Sequence, residues 1–248
     1  MRKLFAVAVA ALAVAITASA AFATHAWGNY HWARTSNPFT IKLGDNATSA
    51  WDSYLNTASS QWSVSSVLDT TVVAGLSKGK CRPTAGRVEV CNGSYGSNGW
   101  LGQAQIWASG DHITQGTVKL NDTYFASPSY NTTGWRSLVT CQEVGHTFGL
   151  GHQDEDFNNA PIVPHTCMDY FSPAANETVG PNQHDYDELA IIYAHLDSTT
   201  TIASPAGNMR GSAPPFSHAS RANGSVYRDH LSNGDTITTF VFWTPNGD

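Results

Sequence analysis

The chain has 248 residues, of which 13% are charged, and a formal net charge of −6. That length suits one large domain with a sizeable core plus a small extension, and the charged fraction is about half the roughly 25% of an average soluble protein. The charges are scattered and contain no basic run, which speaks against nucleic acid or an anionic membrane as partner.

Arg2-Lys3 precedes an apolar run from Leu4 to about Ile16, followed by Ala18-Ser19-Ala20 and Ala21-Phe22-Ala23. A basic start, an apolar middle and two A-x-A sites make the pattern of a secretory signal peptide. The apolar run is shorter than the ~20 residues a membrane span needs. The sequence therefore predicts a leader over 1–23 and a secreted, extracellular chain starting near Thr24. The four cysteines, Cys81, Cys91, Cys141 and Cys167, fit an oxidising compartment. Four allow three connectivities; the preferred one joins Cys81 to Cys91 and Cys141 to Cys167. A cysteine zinc site is disfavoured, because there is no C-x-x-C spacing.

Phe39 to Leu43 alternates apolar and polar residues, a short strand ended by Gly44-Asp45-Asn46. Trp51, Leu55, Ala58 and Trp62 recur at helical steps, with Asn46, Thr48 or Ser49 as the cap. Val67–Ala74, Arg87–Val90, Trp100–Trp107 and Thr117–Tyr124 read as further strands. Trp135, Leu138, Val139, Gln142 and His146 share one helix face, with Thr132 or Thr133 capping and Gly149 turning the chain out. Pro181 to Asp185 opens another helix, whose stripe is Leu189, Ile192, Tyr193 and Leu196. Pro-, Gly- and Ser-rich sequence follows Asp197. Val226–Leu231 and Thr236–Trp243, around Asn233-Gly234, make a hairpin that packs back on the main domain. The order of elements implies an α+β layer structure.

The chemistry collects in Cys141 to His152. Gln142 and His146, four apart on a helix, can address one point, and His152 can return to it after Gly149. Glu143 is offset by about 100°, which suits a carboxylate that binds a metal's water rather than the metal. Zn²⁺ takes three protein ligands and leaves a fourth position to a water whose pKa falls to about 7. Glu143 would then accept that water's proton and pass it to a leaving amine.

Gln142-Glu143-x-x-His146-x-x-Gly149-x-x-His152, with Met168-Asp169-Tyr170 downstream, resembles the metzincin zinc peptidases, whose matrixin, astacin and snapalysin-like members carry H-E-x-x-H-x-x-G-x-x-H/D and a later methionine turn. The resemblance covers roughly Pro38 to Leu196 in layout, with Gln142 standing where the family has its first histidine. It implies a zincin-like α+β fold, a twisted mixed sheet packed on two long helices with a C-terminal helix and a β-hairpin extension. The implied layout is 1–23 leader, 24–197 catalytic domain and 198–248 extension. The resemblance also implies Gln142, His146 and His152 as zinc ligands, Glu143 as general base, Met168 as the floor of the site and Tyr170 as oxyanion stabiliser.

The expected function is that of a monomeric, zinc-dependent endopeptidase acting on protein or peptide substrates. The alternative is a secreted zincin-like domain that binds without catalysis. A glutamine oxygen is a poorer zinc donor than imidazole, which leaves His25, His31, His112 and His165 as candidates for a compensating ligand. Asp154-Glu155-Asp156 with Asn158 and Asn159 is a candidate Ca²⁺ loop, and Leu101–Ile106 is a candidate edge strand for an extended peptide.

Overall fold

The computed structural model describes residues 24–77, 79–203, 222 and 224–245. The expected leader over 1–23 lies outside them, as does most of the Pro-, Gly- and Ser-rich stretch. No helix among the described residues is long and apolar enough to cross a membrane.

In chain order the elements are β1 (His31–Trp32), β2 (Phe39–Asp45), α1 (Ser49–Trp62), β3 (Leu68–Ala74), β4 (Val88–Gly93), β5 (Trp100–Ser109), β6 (His112–Asn121), α2 (Asp122–Phe125), α3 (Thr133–His146), α4 (Gln183–Ile192), β7 (Val226–His230) and β8 (Thr236–Trp243). The result is α+β. The sheet runs β3-β2-β4-β6-β5-β8-β7, with β1 beside the start of β6. β1, β2, β3, β4 and β6 pair in parallel; β5, β7 and β8 pair antiparallel.

Helix α1 forms where its apolar spacing predicts, burying Trp51, Leu55, Ala58 and Trp62. Thr48 is the cap residue, without a side-chain bond. Trp62 packs into the core and donates its Nε1–H to Cys141 O of α3 at 3.1 Å, so the two long helices are joined by a hydrogen bond as well as by apolar contact. In α3 almost every residue is buried, because α1, the sheet and the Cys167–Phe171 segment enclose it. The Cys141–Cys167 disulfide ties that segment to the helix, and Cys81–Cys91 closes the other expected pair.

Several sequence-based boundaries need correction. The strand expected over Thr117–Tyr124 begins at His112 and stops at Asn121, because its first residues pair with β5 and β1. Asn121 then caps the short α2. Helix α4 ends at Ile192, capped at its start by Asn182 and Asp185, and Leu196, expected on its buried stripe, is 57% exposed.

The larger difference concerns β5. Leu101–Ile106 is no edge strand, because β8 pairs with it antiparallel from Trp100 to Ala108. The hairpin does more than pack back on the domain: it extends the sheet. Phe240 and Phe242 join the main core on one face of β8, while Val241 and Trp243 join Trp100 on the other.

Candidate functional site

The motif residues gather where the last turn of α3, the segment after it and the Met168–Tyr170 turn meet beneath β8. Gly149 takes φ +97°, and a side chain there would run into Tyr30 O; only a glycine is at ease in such a turn. That reversal brings His152 back to His146, their Nε2 atoms 3.0 Å apart. Gly145 lets Met168 and Trp62 lie against α3, since a Cβ there would come within 2.8 Å of Met168 Sδ. Tyr170 sits edge-on to His152, ring centroids 4.9 Å apart.

Hydrogen bonds fix the tautomers of both histidines. His146 Nδ1 is 2.8 Å from Leu150 O, and His152 Nδ1 is 2.7 Å from a Glu155 carboxylate oxygen. Both partners accept only, so each Nδ1 carries the hydrogen and each Nε2 presents a lone pair. Two lone pairs facing at 3.0 Å repel unless a proton or a cation lies between them. Burial first, and then the neighbouring His152, hold the His146 pKa well below the usual histidine value.

Gln142 is completely buried. Its Nε2 donates to Cys167 O at 2.7 Å, which orients the amide and leaves Oε1 buried without a hydrogen-bond partner. A buried acceptor with no donor costs about 1–3 kcal/mol, so this oxygen is free for a cation. An amide oxygen and two imidazoles one helix turn and one loop apart therefore offer three donors to a cation, the two imidazoles being the ones that suit zinc.

Glu143 lies between β5 and β8, facing the backbone amides of Ala104 and Phe242, and neither carboxylate oxygen has a hydrogen bond of good geometry. Burial drives its pKa well above the usual carboxylate value, the two amides offsetting only part of that. Gly102 makes the close approach of helix and strand feasible, because a Cβ there would sit 2.5 Å from Val139 Cγ1 and 2.7 Å from Glu143 Oε1.

Strand β8 covers all of this. The Phe240 ring stacks on His146, the Phe242 ring stacks on Tyr170 at 4.6 Å, and the Tyr170 hydroxyl donates to Val241 O at 2.8 Å. Ser225, just before β7, donates to Glu155 at 2.6 Å, the residue that orients His152. Gln142, Glu143, His146 and Met168 are consequently shut off from solvent, and Tyr170 nearly so.

Two of the solved structures to which the chain is similar are these. High choriolytic enzyme 1, a hatching enzyme zinc-protease from the medaka fish Oryzias latipes, matches at 14% identity and a TM-score of 0.37, over 66% of this chain and 94% of that one. Myroilysin matches at 14% identity and a TM-score of 0.38, over 68% of this chain and 98% of that one. No protein-family model and no curated protein matches the chain.

The other sequence-based candidates go elsewhere. His25 pairs with the buried Asp185, His31 and His112 meet at Asp197, and His165 pairs with Glu177, so none of the four joins His146 and His152. The proposed Ca²⁺ loop does not gather its oxygens: Asp154 accepts from Asp156 and Asn159, Asp156 from Asn158, and Glu155 turns to His152 and Ser225. The covering role of Phe240 and Phe242 escaped the sequence reading. Its signal is the unbroken Phe240-Val241-Phe242-Trp243 run, apolar on both faces, which marks a strand buried on both sides.

Proposed function

We propose that the chain is a secreted, monomeric, zinc-dependent endopeptidase of metzincin-like fold, with the place beside β5 filled by its own strand β8. Residues 1–23 are its leader, 24–197 its catalytic domain and 198–248 an extension that closes the site. The observation that carries this reading is the pair of bare Nε2 atoms of His146 and His152, 3.0 Å apart, with the unpartnered Gln142 Oε1 on the preceding helix turn.

Gln142, His146 and His152 would hold the zinc, which supplies Lewis acidity and brings a water's pKa down to about 7. Glu143 takes the attacking water's proton and returns it to the leaving amine. Tyr170 turns its hydroxyl from Val241 O to the developing oxyanion. The peptide substrate lies antiparallel along β5, in the place that β8 now fills, through backbone hydrogen bonds of the β-augmentation kind. Leu150 O and Glu155 keep both imidazoles in the ligating tautomer throughout.

The test measures zinc content and hydrolysis of an unstructured protein substrate for the parent, for Phe240→Ala and for Glu143→Ala, with and without chelator. Stoichiometric zinc and chelator-sensitive hydrolysis that vanishes in Glu143→Ala support the peptidase. A second reading, a zincin-like binding domain without catalysis, is favoured by the complete burial of Gln142, Glu143 and His146. Zinc-loaded protein that hydrolyses nothing, even with Phe240 removed, decides for that reading.

A further inference from the structure

A second group of imidazoles shares no residue with the first. His31 on β1 stands opposite His112 on β6 in the parallel register, with His31 N donating to Asp111 O at 3.0 Å. Asp197, just beyond α4, is held beside them by its backbone N–H, which donates to Arg34 O at 2.9 Å. Three separate stretches of backbone thus bring these side chains together, and none of them needs the side-chain contacts to do so.

The polar atoms converge. His112 Nε2 lies 3.2 Å and His31 Nε2 3.4 Å from Asp197 Oδ1. His195 Nε2 lies 3.7 Å from that same oxygen and 3.2 Å from His31 Nε2. The ligand atoms of His31, His112 and Asp197 all fall within 4.8 Å of one another. In a tetrahedral zinc site with bonds of about 2.0–2.1 Å, neighbouring ligand atoms stand about 3.3 Å apart. Four of the six separations among these ligand atoms, from 3.2 to 3.7 Å, lie around that value.

Their hydrogen bonds leave room for a cation in the middle of the group. His31 Nδ1 is 2.6 Å from Asn29 O, a carbonyl that only accepts, so Nδ1 carries a hydrogen and neutral His31 aims the Nε2 lone pair at the Asp197 carboxylate, the arrangement of a metal ligand. Without a metal, protonation of Nε2 makes the same contact an ion pair. The other carboxylate oxygen is already taken by Arg34, which donates to Asp197 Oδ2 from Nη1 at 2.9 Å and from its backbone at 3.1 Å. Such outer partners fix the tautomer and orientation of metal ligands. His31 and Asp197 are nearly buried, while the His112 and His195 side chains are 40% and 53% exposed, which gives an ion a way in.

We propose that His31, His112, His195 and Asp197 bind one zinc-class divalent cation in a closed, structural site. Four protein ligands leave no open position for catalysis. The ion clamps β1, the β5–β6 hairpin and the end of α4 together, and it does so whether or not the first site is a peptidase.

The test counts zinc per chain by elemental analysis, after dialysis against metal-free buffer, and records thermal unfolding with and without added zinc. His146→Ala/His152→Ala should keep one zinc per chain and a zinc-dependent rise in Tm. His112→Ala/His195→Ala, which alters the two most exposed ligands and keeps the fold by circular dichroism, should lose one zinc and that rise. Should the first variant fail to fold, the parent loaded with Co²⁺ decides: its tetrahedral visible absorption should drop in His112→Ala/His195→Ala. A His112→Ala/His195→Ala protein with the parent's zinc count, Tm shift and Co²⁺ spectrum overturns the proposal.

Discussion

The Phe240 ring lies flat on the His146 imidazole, centroids 4.2 Å apart and planes 7° from parallel. Phe240 is paired with Ala104 in the β5–β8 register, so the ring is delivered by the same backbone ladder that an extended substrate would use. Truncating it removes a completely buried aromatic side chain, at a cost of about 3–5 kcal/mol. It also uncovers one face of His146. Phe240→Ala is therefore expected to lower the denaturation midpoint while raising hydrolysis per folded molecule. Both follow from one denaturant titration and one peptidase assay under folding conditions. Unchanged or lower turnover per folded molecule would count against closure by β8.

Gln142→His exchanges a neutral amide oxygen for an imidazole at the same helix position. Imidazole is the better zinc donor, so competition with a chromogenic chelator should show zinc held at least about tenfold more tightly, equivalent to 1.4 kcal/mol. The Gln142 Nε2 bond to Cys167 O is lost, which costs about 0.5–1.5 kcal/mol in the metal-free protein. The signature is thus a lower Tm without zinc and a larger zinc-induced rise. Equal or weaker zinc affinity would remove residue 142 from the ligand set.

How much of this was legible in the chain depended on the range of the interactions. The meeting of His146 and His152 was readable because it is local: the end of a helix and one glycine turn bring the two residues together. The β7–β8 hairpin was readable from Asn233-Gly234 between the runs Val226–Leu231 and Thr236–Trp243. The Cys141–Cys167 pair followed from its position beside the motif. The partner of β5 was not readable, since β5 and β8 are more than a hundred residues apart and nothing in either strand names the other. The His31, His112, His195 and Asp197 cluster escaped for the same reason. Only His195-Leu196-Asp197 is contiguous, and sequence reading gave His31 and His112 no place to meet.

Tyr170→Phe separates two roles of one hydroxyl. In the closed form it donates to Val241 O, so its loss should cost about 0.5–1.5 kcal/mol of stability and leave an acceptor to repair. If the same hydroxyl also meets the oxyanion, kcat should fall about tenfold or more with zinc content unchanged. Metal analysis, denaturation and steady-state kinetics on one preparation resolve the two. A stability loss with unaltered kcat assigns Tyr170 to closure alone.

Gly102 is the hinge between scaffold and chemistry, because it sets how near α3 stands to β5. A methyl group there would come within 2.5 Å of Val139 Cγ1 and 2.8 Å of Glu143 Cγ. Neither side chain has room to yield: both belong to a helix enclosed on all sides, with Val139 and Glu143 fully buried. Gly102→Ala should therefore push the helix from the strand and destabilise the protein by about 1–3 kcal/mol, the usual cost of overpacking a core. The displaced element carries Glu143, Gln142 and His146, so zinc affinity should weaken in the same variant although no ligand is altered. Gly116→Ala on the neighbouring strand β6 is the control, since its Cβ would meet nothing closer than 3.3 Å. It should change stability less and leave zinc affinity alone. Equal losses at the two positions would count against the close approach at Gly102 as the cause, since the backbone entropy of a Gly→Ala change favours the folded state.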